Sequence, residues 1–246
     1  MARSYYFVIK KKKSVSNLIT SNSNKIALRI PNNKATLSLI SHFYGIVGPS
    51  ANKYNKISPT SKIDVIKSLG KEVDFILAGG RSEIGIESTI IDLVEKNKPT
   101  ILRSGMISKS ELEEKIQCKF YHKKKIKQVP GASINHYKPN ALLMIIKKEE
   151  IMRIILHLLK NAYKIGLLGF NKISIKKKCL IHLKSSEKEC IYARNLYKQL
   201  RLLDSKNVDI ILVETVPNNE KWIGIKDRLK KASLKKNCVK YNKIMK

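Results

Sequence analysis

Short apolar runs rich in Ile, Val and Leu recur along this chain, separated by stretches with helical spacing, and that alternation restricts it to an α/β fold. In the first 117 residues the runs YYFVIK (5–10), KIALRI (25–30), GIVGP (45–49), DFILA (74–78), STIIDLV (88–94) and TILR (100–103) have strand character. Each is bounded by Gly, Pro, Ser or Asn. Helical spacing fits 33–43, with Leu37, Leu39 and Ile40 on its apolar side, and also 60–69 and 108–116. Two of these helices have chemically sensible starts: Ser61 precedes KIDVIKSL, and Ser108 stands three residues before Glu111.

The alternation lapses over 118–141, where a lysine run, a Pro-Gly pair and a further Pro read as a linker. Long irregular segments of this kind often carry function. From 142 the pattern resumes: ALLMII (141–146), KIGLLGF (164–170), CLIHL (179–183) and VDIILVETV (208–216) as strands, with helices over 149–163, 188–204 and 222–233. Strand–helix–strand units of this size predict a small Rossmann-like domain over 142–246, following a first domain over 1–117. No G-x-G-x-x-G follows its first strand, so dinucleotide binding is not supported. The chain contains no internal repeat.

Several function classes are disfavoured. No apolar run is long enough to span a bilayer, and MARSYYFVIKKKKS lacks the apolar core and cleavage site of a secretion signal, so a cytoplasmic protein is expected. The four cysteines, Cys118, Cys179, Cys190 and Cys238, are far apart, and neither C-x-x-C nor H-E-x-x-H occurs; no metal site is expected. The formal charge of +31 favours salt-dependent, weak electrostatic contact with RNA. Yet only eight of the 50 basic residues are arginine, and lysine rises together with Ile and Asn. That mix is what an AT-rich genome produces, and it explains the charge more readily than a dedicated RNA surface.

Three segments could carry chemistry. GPSANKYNKISPT (48–60) places Ser50, Asn52, Asn55, Ser58 and Thr60 between a strand end and a helix start, an arrangement suited to phosphate or carboxylate oxygens. The same residue types also build ordinary turns and N-caps. Arg29 and Arg103 each end a strand in a chain that otherwise prefers lysine. Their planar forks suit bidentate anion binding, although an ion pair would also account for them. In GGRSEIGIESTIIDL (79–93), glycines permit tight backbone paths and Glu87-Ser88-Thr89 sets hydroxyls at a strand start; a Gly-rich hairpin explains this equally well.

The order of these pieces is more specific than any one of them. R-I-P, P-S-A-N…S-P-T, G-I-E-S-T-I-I-D-L, I-L-R-x-G and P-G…H-Y-x-P, followed by YARNLYKQLRLLDSKNVDIILVETVP, resemble the two-domain threonylcarbamoyl-adenylate synthases from about residue 5 onward. The resemblance implies a partial YrdC-like twisted mixed sheet with flanking helices, joined to the small Rossmann-like domain. It implies an enzyme that joins L-threonine, bicarbonate and ATP into threonylcarbamoyl-AMP and pyrophosphate, with Mg2+ on the triphosphate. The product would pass to a transferase complex that modifies tRNA beside the anticodon. On this resemblance Ser50, Ser58 and Arg103 hold ATP, while Arg29, Gly48 and Ser88 hold threonine. Pro130, Gly131, His136, Tyr137 and Pro139 would form a lid, with Tyr137 as its contact and His136 orienting or structural. No catalytic base is implied, since adenylate formation depends on positioning and charge stabilisation at phosphorus.

The chain also departs from the family pattern. Lys25 stands in place of a threonine, Asn55 of a glycine, and Arg81 and Ser104 of prolines. A segment with a Lys-x-Arg motif, expected ahead of YYFVIK, has no counterpart here. Negligible activity is therefore expected of this chain alone. The alternative reading is a truncated, catalytically inactive remnant with residual non-specific RNA binding.

Overall fold

The computed structural model describes residues 5–122, 136–175, 177–234 and 244. Pro130, Gly131 and Cys238 lie outside these residues. Two sheets organise the chain, one of five strands in the order β2-β1-β3-β4-β5 and one of four in the order β6-β9-β7-β8.

The first sheet is mixed. β1 (Tyr5–Lys10) pairs antiparallel with β2 (Lys25–Leu28) and parallel with β3 (Thr89–Asp92). β3 pairs antiparallel with β4 (Thr100–Arg103), and β4 parallel with the two-residue β5 (Tyr121–His122). One side packs Ile91 and Ile101 against Ile107, Leu112 and Phe120, the apolar contribution of α4 (Lys109–Ile116) and its flanks. Helix α4 begins where its sequence indicates, with the Glu111 amide donating to Ser108 Oγ at 3.1 Å. Tyr6, Ile90 and Arg103 stand side by side across β1, β3 and β4, so they share one face.

Helices α1 (Asn17–Thr20), α2 (Lys34–Ile40) and α3 (Lys62–Leu69) contain no buried residue. The expected strands at 45–49 and 74–78 do not form. Ile46, Val47, Phe75 and Leu77 are exposed, and among the described residues no strand pairs with either run. Strand composition supplies only the side chains; a ladder also requires a neighbour for the backbone.

The second sheet is wholly parallel: β6 (Leu142–Ile146) and β7 (Ile165–Gly169) flank β9 (Ile210–Glu214), and β8 (Leu180–Lys184) forms the far edge. Its central strands β7 and β9 are buried along their whole length, which explains their unbroken apolar sequences. Helix α5 (Ile151–Lys160) covers one face, with Ile154, Ile155 and Leu158 against Leu167, Ile210 and Leu212. Helices α6 (Glu189–Asp204) and α7 (Ile223–Ala232) cover the other, burying Leu196, Leu200 and Leu229 with Ile211 and Val213. Ile57, Ile86 and Tyr137 belong to this second core although they lie before β6 in sequence. The two halves therefore share one hydrophobic cluster.

Their backbones also meet closely. A Cβ at Gly224 would fall 2.7 Å from the Gly105 carbonyl carbon, and one at Gly85 would fall 2.6 Å from the Arg194 carbonyl oxygen. Only glycine admits approaches this tight.

Candidate functional site

Glu87 lies just ahead of β3, in the seam between the two halves. Its carboxylate accepts from Ser58 Oγ at 2.6 Å, Tyr197 Oη at 3.0 Å and Arg228 Nε at 2.8 Å. Arg228, on α7, is completely enclosed and donates further to the carbonyls of Glu87 at 2.8 Å and Ser104 at 2.5 Å. One buried guanidinium thus ties together the backbone on both sides of β3 and β4. Burial alone would raise the Glu87 pKa, but the Arg228 charge and the donors from Arg228 and Ser58 outweigh it and hold the carboxyl below its ordinary range. Arg228 is correspondingly shifted upward: burial opposes its charge, and Glu87 overcomes that opposition. Glu87 is an ionised anchor with its acceptor sites engaged, which disqualifies it as a resting proton acceptor.

Arg103 enters the same neighbourhood from the end of β4. It is 9% exposed, and its Nε donates to the Ser88 carbonyl at 3.1 Å. Burial and then Arg228 lower its pKa, while Tyr137, Glu87 and Tyr6 act in the other direction. Arg228 also pairs with Asp227 at 3.1 Å, which is shared with Lys231 at 2.7 Å. A planar guanidinium such as that of Arg103 suits an anionic ligand with several oxygens.

The second half also grips the 48–60 loop. Arg201, on α6, donates to the Ser58 carbonyl at 2.8 Å, to Thr60 Oγ1 at 2.6 Å and to Asp64 Oδ2 at 2.8 Å. Burial opposes the Asp64 charge, but the Thr60 backbone donor and Arg201 prevail and lower its pKa. The 136–140 segment lies along the loop's other side: the Lys138 amide donates to the Asn55 carbonyl at 2.9 Å, and Lys56 Nζ donates to Asn140 Oδ1 at 2.7 Å. Asn55 adopts a left-handed φ of 61°, which asparagine tolerates where most residues do not.

His136 and Tyr137 meet edge to face, with ring centroids 4.2 Å apart. Tyr137 is 1% exposed, stacks on Tyr197 at 6.0 Å and lies under Arg228 at 5.7 Å. Burial, with Glu87 second, pushes its hydroxyl pKa up to about 12. Its Oη is enclosed without a hydrogen-bond partner, as is His136 Nδ1. Burial lowers the His136 pKa, keeping the ring neutral near pH 7.

Of the residues singled out in the sequence, Ser58, Ser88, Arg103, His136 and Tyr137 converge around Glu87. Gly48 and Ser50 lie on the exposed start of the loop, and Arg29 follows the last residue of β2, with its guanidinium 5.4 Å from the centre of the Tyr6 ring. Tyr6 in turn shares a sheet face with Arg103. Arg201, Arg228 and Tyr197, which organise the site, were not singled out. The scarcity of arginine that drew attention to Arg29 and Arg103 applies equally to the two helical arginines.

Among the described residues no group of three or more His, Cys, Asp or Glu could hold a metal ion. No described helix is long and apolar enough to cross a membrane.

Two family models match consecutive parts of the chain. The Sua5–YciO–YrdC family model, described as telomere recombination, matches residues 1–105. The model described as the C-terminal domain of threonylcarbamoyl-AMP synthase matches residues 107–233. The threonylcarbamoyl-AMP synthase of Pyrococcus abyssi is 31% identical over 239 residues, which cover 92% of this chain and 69% of that protein. That of Schizosaccharomyces pombe is 31% identical, with 89% of this chain and 60% of the relative covered. The crystal structure of P. abyssi Sua5 complexed with L-threonine superposes with a TM-score of 0.82 at 31% identity, over 93% of this chain and 70% of that one. A P. abyssi Sua5 variant in which a neighbouring histidine and tyrosine are alanine gives 0.80 at 29% identity, over 93% and 69% of the two chains.

Proposed function

Because this chain belongs to the threonylcarbamoyl-AMP synthase family, we propose that it serves the joining of L-threonine, bicarbonate and ATP into threonylcarbamoyl-AMP and pyrophosphate, for tRNA modification in the cytoplasm. The observation that carries the proposal is the convergence of Ser58, Ser88 and Arg103 around the Glu87–Arg228 pair. The agreement along both halves favours the synthase over an inactive remnant.

In the reaction, the threonine amine forms a bond to the bicarbonate carbon, and a C–O bond breaks as water leaves with a proton of the amine, giving an N-carboxylate. The resulting carboxylate attacks the α-phosphate, and the P–O bond to the departing pyrophosphate breaks. Both reactants are anionic, so the enzyme's main tasks are orientation and charge neutralisation. Arg103, with Ser50 and Ser58, is assigned to the ATP phosphates; Arg29, Ser88 and the Gly48 backbone are assigned to threonine. The L-threonine complex of the P. abyssi relative supports threonine as the amino-acid substrate. Mg2+ would travel with ATP, held by phosphate oxygens and water.

Ser58 Oγ now donates to Glu87, so binding phosphate through that proton requires its rotation away from the carboxylate. His136 and Tyr137 are assigned to the lid, and the variant solved for the relative alters the same pair of residue types. The downstream partner remains the transferase complex of tRNA modification. Contact with RNA through lysine charge would be weak and lost at moderate salt.

The purified chain supplied with L-threonine, bicarbonate and MgATP should release pyrophosphate only when all three are present. Arg103→Ala should reduce that release at least tenfold. Release independent of threonine or bicarbonate defeats the proposal, and no release at all restores the inactive-remnant reading.

A further inference from the structure

The second half holds a separate cavity that the proposed reaction does not use. At the carboxyl ends of β6 and β9 the chain leaves in opposite directions: β6 runs into α5 on one face of the sheet, and β9 toward α7 on the other. Adjacent parallel strands with opposite exits leave a crevice, the usual ligand position in open α/β sheets. Here it is a cavity of about 240 Å³, lined by Lys148, Met152, Leu167, Gly169, Lys172 and Glu214 among others.

Glu214 ends β9 and is 6% exposed. Its Oε2 accepts from the Phe170 amide at 2.7 Å, and among the described residues no lysine, arginine or histidine lies within ion-pair distance. A carboxylate removed from water without a cation is costly, so a positively charged group would be favoured beside it. Gly169 leaves the carboxylate uncrowded: a Cβ there would come within 3.2 Å of Glu214 Oε2, closer than ordinary contact. Lys148 and Lys172 contribute positive charge to the lining, and Ile151, Met152, Leu167 and Ile173 supply apolar wall.

We infer that this cavity binds a small zwitterionic amino acid, its ammonium against Glu214, its carboxylate toward Lys148 and Lys172, and an aliphatic side chain on the apolar wall. This assignment is independent of the synthase proposal. The crevice is built from residues after 141, whereas the threonine assigned above faces Arg29 and Ser88.

Titration calorimetry of the full chain with L-valine, L-threonine and AMP tests it. Saturable binding of an aliphatic amino acid is expected, unchanged in Arg29→Ala and weakened at least tenfold in Glu214→Gln, which can keep the Phe170 contact. Lys148→Glu/Lys172→Glu alters only charged lining residues and should also weaken binding at least tenfold. Amide resonances of Phe170 and Lys172 should shift on titration. No saturable amino-acid binding overturns the inference. So does amino-acid affinity indifferent to Glu214→Gln, or binding of AMP alone.

Discussion

Replacing Arg228 with Met should expose how strongly the two halves depend on one ion pair. The guanidinium is completely enclosed, and Glu87 retains only 17% side-chain exposure. Without Arg228 the carboxylate keeps Ser58 and Tyr197 as donors but loses its cation, while the carbonyls of Glu87 and Ser104 lose their shared donor. Removing one member of a buried pair costs about 3–5 kcal/mol. For a chain of this size that corresponds to a fall in Tm of about 6–20 °C. Glu87→Gln leaves Arg228 with only Asp227 as its anion and should cost about 3 kcal/mol for the same reason. The double variant R228M/E87Q leaves no uncompensated charge in the pair, so its loss should fall short of the summed single losses by about 2 kcal/mol or more. Urea unfolding of all four proteins, followed by circular dichroism and checked for reversibility, gives this coupling. Additive losses, or a loss below about 1 kcal/mol in R228M, would refute the argument that this pair joins the halves.

Two further outcomes follow from the same seam. The folded-state pKa of Glu87 is depressed, so its stabilisation is fully present above the unfolded carboxyl value of about 4.3 and is lost as pH falls through the folded value; below about pH 4, wild type should lose stability more steeply than E87Q. Gly224→Ala sets a Cβ against the Gly105 carbonyl and should cost about 1–3 kcal/mol in urea unfolding, whereas an unchanged midpoint would show that the backbones can separate freely.

How far the site could be read from sequence depended on distance along the chain. Ser58, Ser88 and Arg103 stood out because strand ends, hydroxyls and a rare arginine occur together in short segments. Tyr197 and Arg228 act on Glu87 from 110 and 141 residues away, and no local spacing reports such a partner. In the helical pattern of α6, Tyr197 looks like any other apolar-face residue. The runs at 45–49 and 74–78 failed for a related reason: their composition suits strands, but strand formation requires a neighbour that composition cannot specify.

The sequence by itself determined the α/β class, the helix starts at Ser61 and Ser108, the parallel character of the second half, and the family through its ordered motifs. These depend on residue type at short spacing, where backbone propensity and side-chain period act directly. Tertiary structure alone decided that Glu87 is an ionised anchor, that Arg201 and Arg228 of the second half hold the loop and strands of the first, and that Glu214 is buried at the wall of a cavity. Burial and charge pairing are properties of positions in space, and they exist only once the two sheets have packed.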